Sequence, residues 1–98
     1  MTSKPPKGRF NMLYFASAGS FTRKQVESLP APLPLAKLFD TLEKRYEGIR
    51  ESVLDHSLVT INLAYVDMDD DEPKGEDGRP IVIQEGDEVA IIPPVSSG

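Results

Sequence analysis

Apolar and polar positions alternate over Phe10 to Phe15 (FNMLYF), an aromatic-rich run that predicts a strand. With Leu13 and Phe15 pointing inward, Met12 and Tyr14 occupy the opposite face, which is then too apolar for a fully solvated sheet. Residues 16–22 (ASAGSFT) are small and polar and predict a connection or a single helical turn. Lys24 to Leu29 (KQVESL) alternates weakly about Val26 and Leu29 and reads as a second strand. Pro30, Pro32 and Pro34 then interrupt regular structure, and Pro34 suits the first turn of a helix, where its missing N–H costs nothing. From there Leu35, Leu38, Phe39, Leu42 and Tyr46 recur at helical spacing, the best periodic signal in the chain. Lys37, Asp40, Glu43, Lys44 and Glu47 fill the other face, with Asp40 and Lys44 spaced for a favourable pair. Gly48 is placed to end the helix in a left-handed conformation, and Ile49 to Leu54 to make another short turn.

Leu58 to Ile61 (LVTI) is a β-branched strand, and Asn62 begins a turn into a shorter strand at Tyr65–Val66. Residues 67–80 (DMDDDEPKGEDGRP) are acidic, hold Gly and Pro, and contain almost nothing to bury, so a solvated loop is expected. Ile81 to Ile83 leads through a turn at Glu85–Gly86–Asp87 to the strand Glu88–Ile92. Two strands, a crossing helix and further strands suit an α+β domain with one main helix on one face of a small mixed sheet. With the first and last strands central and parallel, this is the β-grasp (ubiquitin-like) arrangement, in a sheet of about four to five strands. The expected organisation is a flexible basic arm at 1–8, a β-grasp domain at 9–92 and an extended tail at 93–98.

Length allows one core: the chain has 98 residues, 39% of them hydrophobic and 28% charged. The absence of cysteine excludes a disulfide framework, a thiol nucleophile and cysteine-bound metal. The one histidine, His56, excludes catalysis or metal binding through several imidazoles. No apolar run approaches the ~20 residues of a membrane helix. Residues 1–10 carry charge without a following apolar stretch, so no secretory signal and a cytoplasmic location are expected. Net charge is −5, but residues 1–24 hold five bases and no acid, while residues 67–88 hold ten acids against Lys74 and Arg79. Without a clustered basic face, nucleic acid is not an expected partner.

Conventional catalytic groups are scarce. Asp55, His56 and Ser57 are sequence neighbours whose side chains diverge, so they do not form a triad. Gly75 and Gly78 are isolated and make no phosphate loop. Asp67, Asp69 and Asp71 alternate as in a calcium loop, but the glycine and closing glutamate are not at the required spacing, and no metal is expected. By elimination, the residues point away from a self-contained enzyme. The C-terminus differs. Glu88–Ile92 runs into Pro93 and Pro94, which cannot donate ladder hydrogen bonds and stiffen the exit. Val95, Ser96, Ser97 and Gly98 follow without charge, and six extended residues reach roughly 20 Å. A final glycine leaves the terminal carboxylate sterically bare.

The string Gly86-Asp87-Glu88-Val89-Ala90-Ile91-Ile92-Pro93-Pro94-Val95-Ser96-Ser97-Gly98 resembles the C-terminus of the small-subunit family of molybdopterin synthase. Leu13–Ala16 is similar to that family's first strand, Leu35–Tyr46 to its helix and Val59–Asn62 to its middle strand. The basic arm and the acidic loop lie outside the resemblance. The resemblance implies a sulfur carrier for molybdenum cofactor synthesis, in a heterotetrameric synthase. The Gly98 carboxylate would be adenylated by an ATP-using, ubiquitin-activating-like adenylyltransferase/sulfurtransferase and converted to a thiocarboxylate. It would then donate sulfur to a cyclic pterin precursor in the large, catalytic subunit, forming the dithiolene. Pro93, Pro94, Val95, Ser96 and Ser97 would thread the tail into that subunit, and this chain would bind no cofactor itself. The family closes on two glycines; here Ser97 adds a Cβ and narrows the backbone freedom of the penultimate position. The face opposite the helix, with Met12, Tyr14, Ala90 and Ile92, is the expected interface with the large subunit. A ubiquitin-related modifier joined to lysines through Gly98, or a β-grasp interaction domain without tail chemistry, are the alternatives.

Overall fold

The structure is a computed structural model in which residues 4–69 and 71–94 are described. In chain order it contains β1 (Arg9–Tyr14), α1 (Ser17–Thr22), β2 (Val26–Pro30), β3 (Leu33–Pro34), α2 (Leu38–Arg45), α3 (Ile49–Ser52), β4 (Leu58–Ile61), β5 (Ala64–Val66), β6 (Val82–Ile83) and β7 (Glu88–Ile92). Single 3-10 turns at Leu35–Lys37 and Leu54–His56 precede α2 and β4. Five strands form one sheet in the order β2-β1-β7-β4-β5. β1 and β7 are parallel and the other neighbours antiparallel. This is the β-grasp order, with the first and last strands at the centre. β3 and β6 make a separate two-stranded ladder through Leu33–Ile83 and Pro34–Val82. The three prolines had masked β3 in the sequence, and Pro34 ends that strand instead of opening the helix.

The helical stripe packs as its spacing predicts. Leu35, Leu38, Phe39 and Leu42 are buried and Tyr46 partly so. They meet Phe10, Met12, Tyr14, Leu29, Val59, Val89 and Ile91 from the sheet. Gly48 has φ 89°, the left-handed stop expected after α2. Glu43 fixes this stop: its carboxylate accepts from the backbone N–H of Gly48 at 2.7 Å and of Arg50 at 3.0 Å. These two backbone donors hold the carboxyl below its usual range. Asp40 pairs with Arg50 at 2.6 Å, so Lys44 is not its partner. Gly19 in α1 faces Tyr14: a Cβ there would stand 3.1 Å from the Tyr14 carbonyl oxygen, which explains the close seating of α1 on the end of β1.

The acidic loop is more ordered than its composition suggests. Pro73 is buried, Met68 packs against the core, and the Ile81 N–H donates to the Pro73 carbonyl at 2.9 Å. Lys74 and Pro80 form a β-bridge, and Asp77 turns the tip by accepting from the Arg79 N–H. Among the described residues, no helix is long and apolar enough to cross a membrane.

Candidate functional site

The β-strand alternation that builds the core leaves a second set of side chains on the opposite face. Which set faces in is decided at β1. The sequence reading placed Leu13 and Phe15 inward and exposed Met12 and Tyr14; the structure reverses this. Met12 is 0% and Tyr14 3% exposed, whereas Phe15 is 48% exposed. The cause is register. Met12 lies beside Val89 and Tyr14 beside Ile91, and side chains paired across a ladder share a face. Val89 and Ile91 are fully buried, as expected, so Met12 and Tyr14 must be too. Phe10, at 0% exposure, joins the inner set.

The outer face is therefore built by Leu13, Phe15, Ala90 and Ile92, with β2, β4 and β5 extending it. Pairing runs without a break from Val26 to Leu13, Ala90, Thr60 and Tyr65 across all five strands. One step toward the end of β7, Ile92 pairs with Leu58. Tyr65 is 69%, Leu58 57% and Val26 45% exposed. Ala90 and Thr60 in the middle of the row are 6% and 5% exposed, so the exposed apolar side chains of this face are Val26, Phe15, Leu58 and Tyr65 around them, and the helical core residues pack on the other side. Of the four residues expected on this patch, Ala90 and Ile92 belong to it and Met12 and Tyr14 do not.

The tail leaves from the border of this face. Ile92 is half-buried, Pro93 is buried and Pro94 is exposed. Pro93 has no N–H, so the ladder stops there. β7 is held by β1 as far as Ile91, whose carbonyl accepts from the Phe15 N–H at 3.2 Å, and by β4 as far as Ile92, which pairs with Leu58. Val95, Ser96, Ser97 and Gly98 lie outside the described residues.

A polar cluster on the inner face had no signal in the sequence reading. Glu27 sits at an inward position of β2, its side chain only 6% exposed. Tyr14 Oη and Tyr46 Oη donate to Glu27 Oε1 at 2.8 and 2.7 Å. Lys24 Nζ and Arg45 Nη2 donate to Oε2 at 2.9 and 2.6 Å. Burial alone would raise the Glu27 pKa, but four donors outweigh it and bring the carboxyl down to about 2. Burial, then the bond to Glu27, push the Tyr14 hydroxyl well above its usual range. The cluster joins β1, β2 and the end of α2 beneath the sheet; it offers no open reaction site. A strand glutamate reads as solvent-facing unless the two tyrosines are known to converge on it. His56 and Asp55 are exposed, and Ser57 Oγ donates to the Val53 carbonyl at 2.7 Å, so these neighbours do not converge.

The sequence profile of the ThiS family matches residues 12–98. The molybdopterin synthase sulfur carrier subunit of Phaeosphaeria nodorum is 53% identical over 97 residues, spanning 99% of this chain and 98% of that protein. The chain belongs to the ThiS family, among its molybdopterin synthase sulfur carrier subunits. Two solved structures bear on the fold of this sulfur carrier. Small archaeal modifier protein 1 of Haloferax volcanii matches with a TM-score of 0.64 at 18% identity, covering 90% of this chain and 99% of that one. A chain in the complex of subunits 1 and 2 of molybdopterin-converting factor from Helicobacter pylori matches with a TM-score of 0.56 at 19% identity, covering 92% and 99%. Such identities carry the ubiquitin-like β-grasp fold alone. Of the Gly86–Gly98 string, Glu88–Ile92 form β7 and Pro93–Pro94 follow it at the edge of the outer face.

Proposed function

We propose that this sulfur carrier works in the cytoplasm by holding sulfur as a thiocarboxylate on Gly98 and presenting it, through its outer sheet face, to the large subunit of molybdopterin synthase. The observation that carries the reading is the junction of β7 with its tail. The strand is pinned at the sheet centre up to Ile91, and Pro93–Pro94 stiffen the exit beside apolar Phe15, Ile92 and Leu58. A partner covering that face receives the tail at a fixed origin and direction.

A carboxylate is a poor electrophile because its charge is delocalised. An ATP-using, ubiquitin-activating-like partner would form the Gly98 acyl-adenylate with release of pyrophosphate. A sulfur nucleophile at the sulfide level then displaces AMP, leaving the thiocarboxylate. Its sulfur bonds to an electrophilic carbon of the pterin precursor, from which an oxygen substituent leaves with its electron pair, and water cleaves the acyl–sulfur bond, returning the Gly98 carboxylate and leaving a thiolate on the pterin. Two such deliveries make the dithiolene. The acids, bases and phosphate-binding groups belong to the partners, in keeping with an exposed His56 and a Glu27 enclosed by four donors.

The test uses two tail variants with the activating enzyme, a sulfur donor and the large subunit. Deleting Gly98 moves the terminal carboxylate back by about 3.5 Å, and pterin product should be lost while the melting temperature is unchanged. Ser97→Gly frees the backbone and should maintain or raise the rate of thiocarboxylate formation. Full product from the Gly98 deletion would mean that sulfur is not carried on this residue. A modifier role on the same fold predicts Gly98 in isopeptide linkage to lysines in cells.

A further inference from the structure

The basic arm is the part of the sequence that this function does not use. Its described residues do not trail away from the domain. Lys4, Pro5 and Pro6 stand at the outer face, across a groove of about 850 Å3 lined by apolar Leu13, Phe15 and Val26 and by polar Asn11, Gln25 and Ser28. The arm has a fixed root: the Arg9 N–H donates to the Pro6 carbonyl at 3.1 Å, and the Ala31 N–H to the Gly8 carbonyl at 3.0 Å. Gly8, at φ 78°, makes the reversal into β1. Adjacent prolines keep the segment extended.

Three observations separate a wall from a lid. Phe15 and Val26 remain 48% and 45% exposed beneath the arm, so the arm does not cover them. The groove floor is continuous with the five-strand row through Leu13 and with Ile92 next to Phe15, so a partner seated on the outer face meets the groove. Among the described residues, neither Lys4 nor Lys7 makes a side-chain hydrogen bond or ion pair, although Lys24 and Arg45 are committed to Glu27. Glu85 and Asp87 flank the arm's other side across a smaller cavity of about 430 Å3. The Asp87 carboxylate is already engaged by Asn62 Nδ2 and the Gln84 N–H.

We propose that the arm is a clamp: the groove receives an extended apolar segment of the large synthase subunit that bears an acidic residue opposite Lys4. The proposal rests on the reading of the outer face as the docking surface. Leu13, Phe15 and Val26 call for apolar side chains, Asn11, Gln25 and Ser28 beside them suit the exposed backbone of an extended segment, and the Lys4 ammonium at the rim of an otherwise acidic protein selects a carboxylate.

Binding of the full chain to the large subunit, measured by calorimetry, tests it. A variant lacking residues 2–7 keeps Gly8 and all of β1 and should melt with the wild type. Its affinity should fall by about tenfold at low salt. Lys4→Glu should weaken binding several-fold, and that loss should shrink between about 50 and 500 mM salt as screening grows. Unchanged or tighter binding by the arm deletion overturns the clamp, tighter binding marking the arm as a competitor for the face. A salt-independent Lys4→Glu effect overturns the acidic contact. Full-affinity binding by Ile92→Glu, or no binding by the wild type, instead overturns the docking reading itself and the clamp with it.

Discussion

The two faces of the sheet are made from similar residues and put to opposite uses. The inner face holds Phe10, Met12, Tyr14, Val89 and Ile91 against the helices, with its one carboxylate satisfied by four donors. The outer face holds Phe15, Val26, Leu58, Tyr65 and Ile92, with the arm standing beside Phe15 and Val26 and leaving them 48% and 45% exposed. Burial of apolar area stabilises by about 25 cal/mol per Å2, and only the inner set contributes it to folding. On the docking proposed above, the outer set would contribute it on association. Hydrophobicity at a position therefore says that something will cover it, and register says whether that is the chain or a partner.

The strongest way to break this contrast is to place the same charge on each face. Met12→Glu puts an unpaired carboxylate into a closed core, a cost of several kcal/mol set against a total stability of about 5–15. That variant should fail to fold, as read by circular dichroism. Ile92→Glu should keep its melting temperature within a few degrees and lose large-subunit affinity by at least about tenfold. A folded Met12→Glu protein would mean the β1 register is wrong.

Glu27→Gln sharpens the inner side of the comparison. It keeps the shape and removes the charge that two cations and two hydroxyls surround, so a loss of roughly 3 kcal/mol in denaturant unfolding is expected. Affinity for the large subunit should not change. The pH dependence has a definite sign. A carboxyl lowered in the fold from 4.5 to about 2 contributes its full stability above 4.5. That contribution is lost as pH falls from 4.5 through about 2. Wild-type stability should decline across this window and that of Glu27→Gln should be flatter.

The smallest effect is expected at the acidic loop. Replacing 68–78 with a short Gly/Ser linker removes buried Pro73 and the Met68 contact, and should cost about 1–2 kcal/mol. It should leave docking intact, because none of these residues belongs to the outer face.

Strand order, the main helix and its stop were legible because each rests on local chemistry: β-branched runs, a 3.6-residue stripe, a glycine able to take φ 89°. The face of β1 was not, because Met12–Tyr14 and Leu13–Phe15 are equally apolar. The deciding facts are Phe10 at the flank and a pairing with a strand some eighty residues away. Glu27 was invisible for a related reason: its donors come from Tyr14, Lys24, Arg45 and Tyr46, which converge only once α2 lies under the sheet. The loop misled by composition, since one proline and one methionine among acids suffice to tie it down. The C-terminal string needed no fold to be read, and its four last residues are where the structure adds least.

The pairing of the first strand with the last has a consequence for synthesis. Long-range parallel contacts form late and slowly, and here the sheet lacks its middle until Glu88–Ile92 is available to enter between β1 and β4. A nascent or prematurely terminated chain is thus missing both the outer row through Ala90 and the ladder that orders β4. A chain that stops short of Glu88–Ile92 therefore lacks the centre of its sheet together with the segment that follows it.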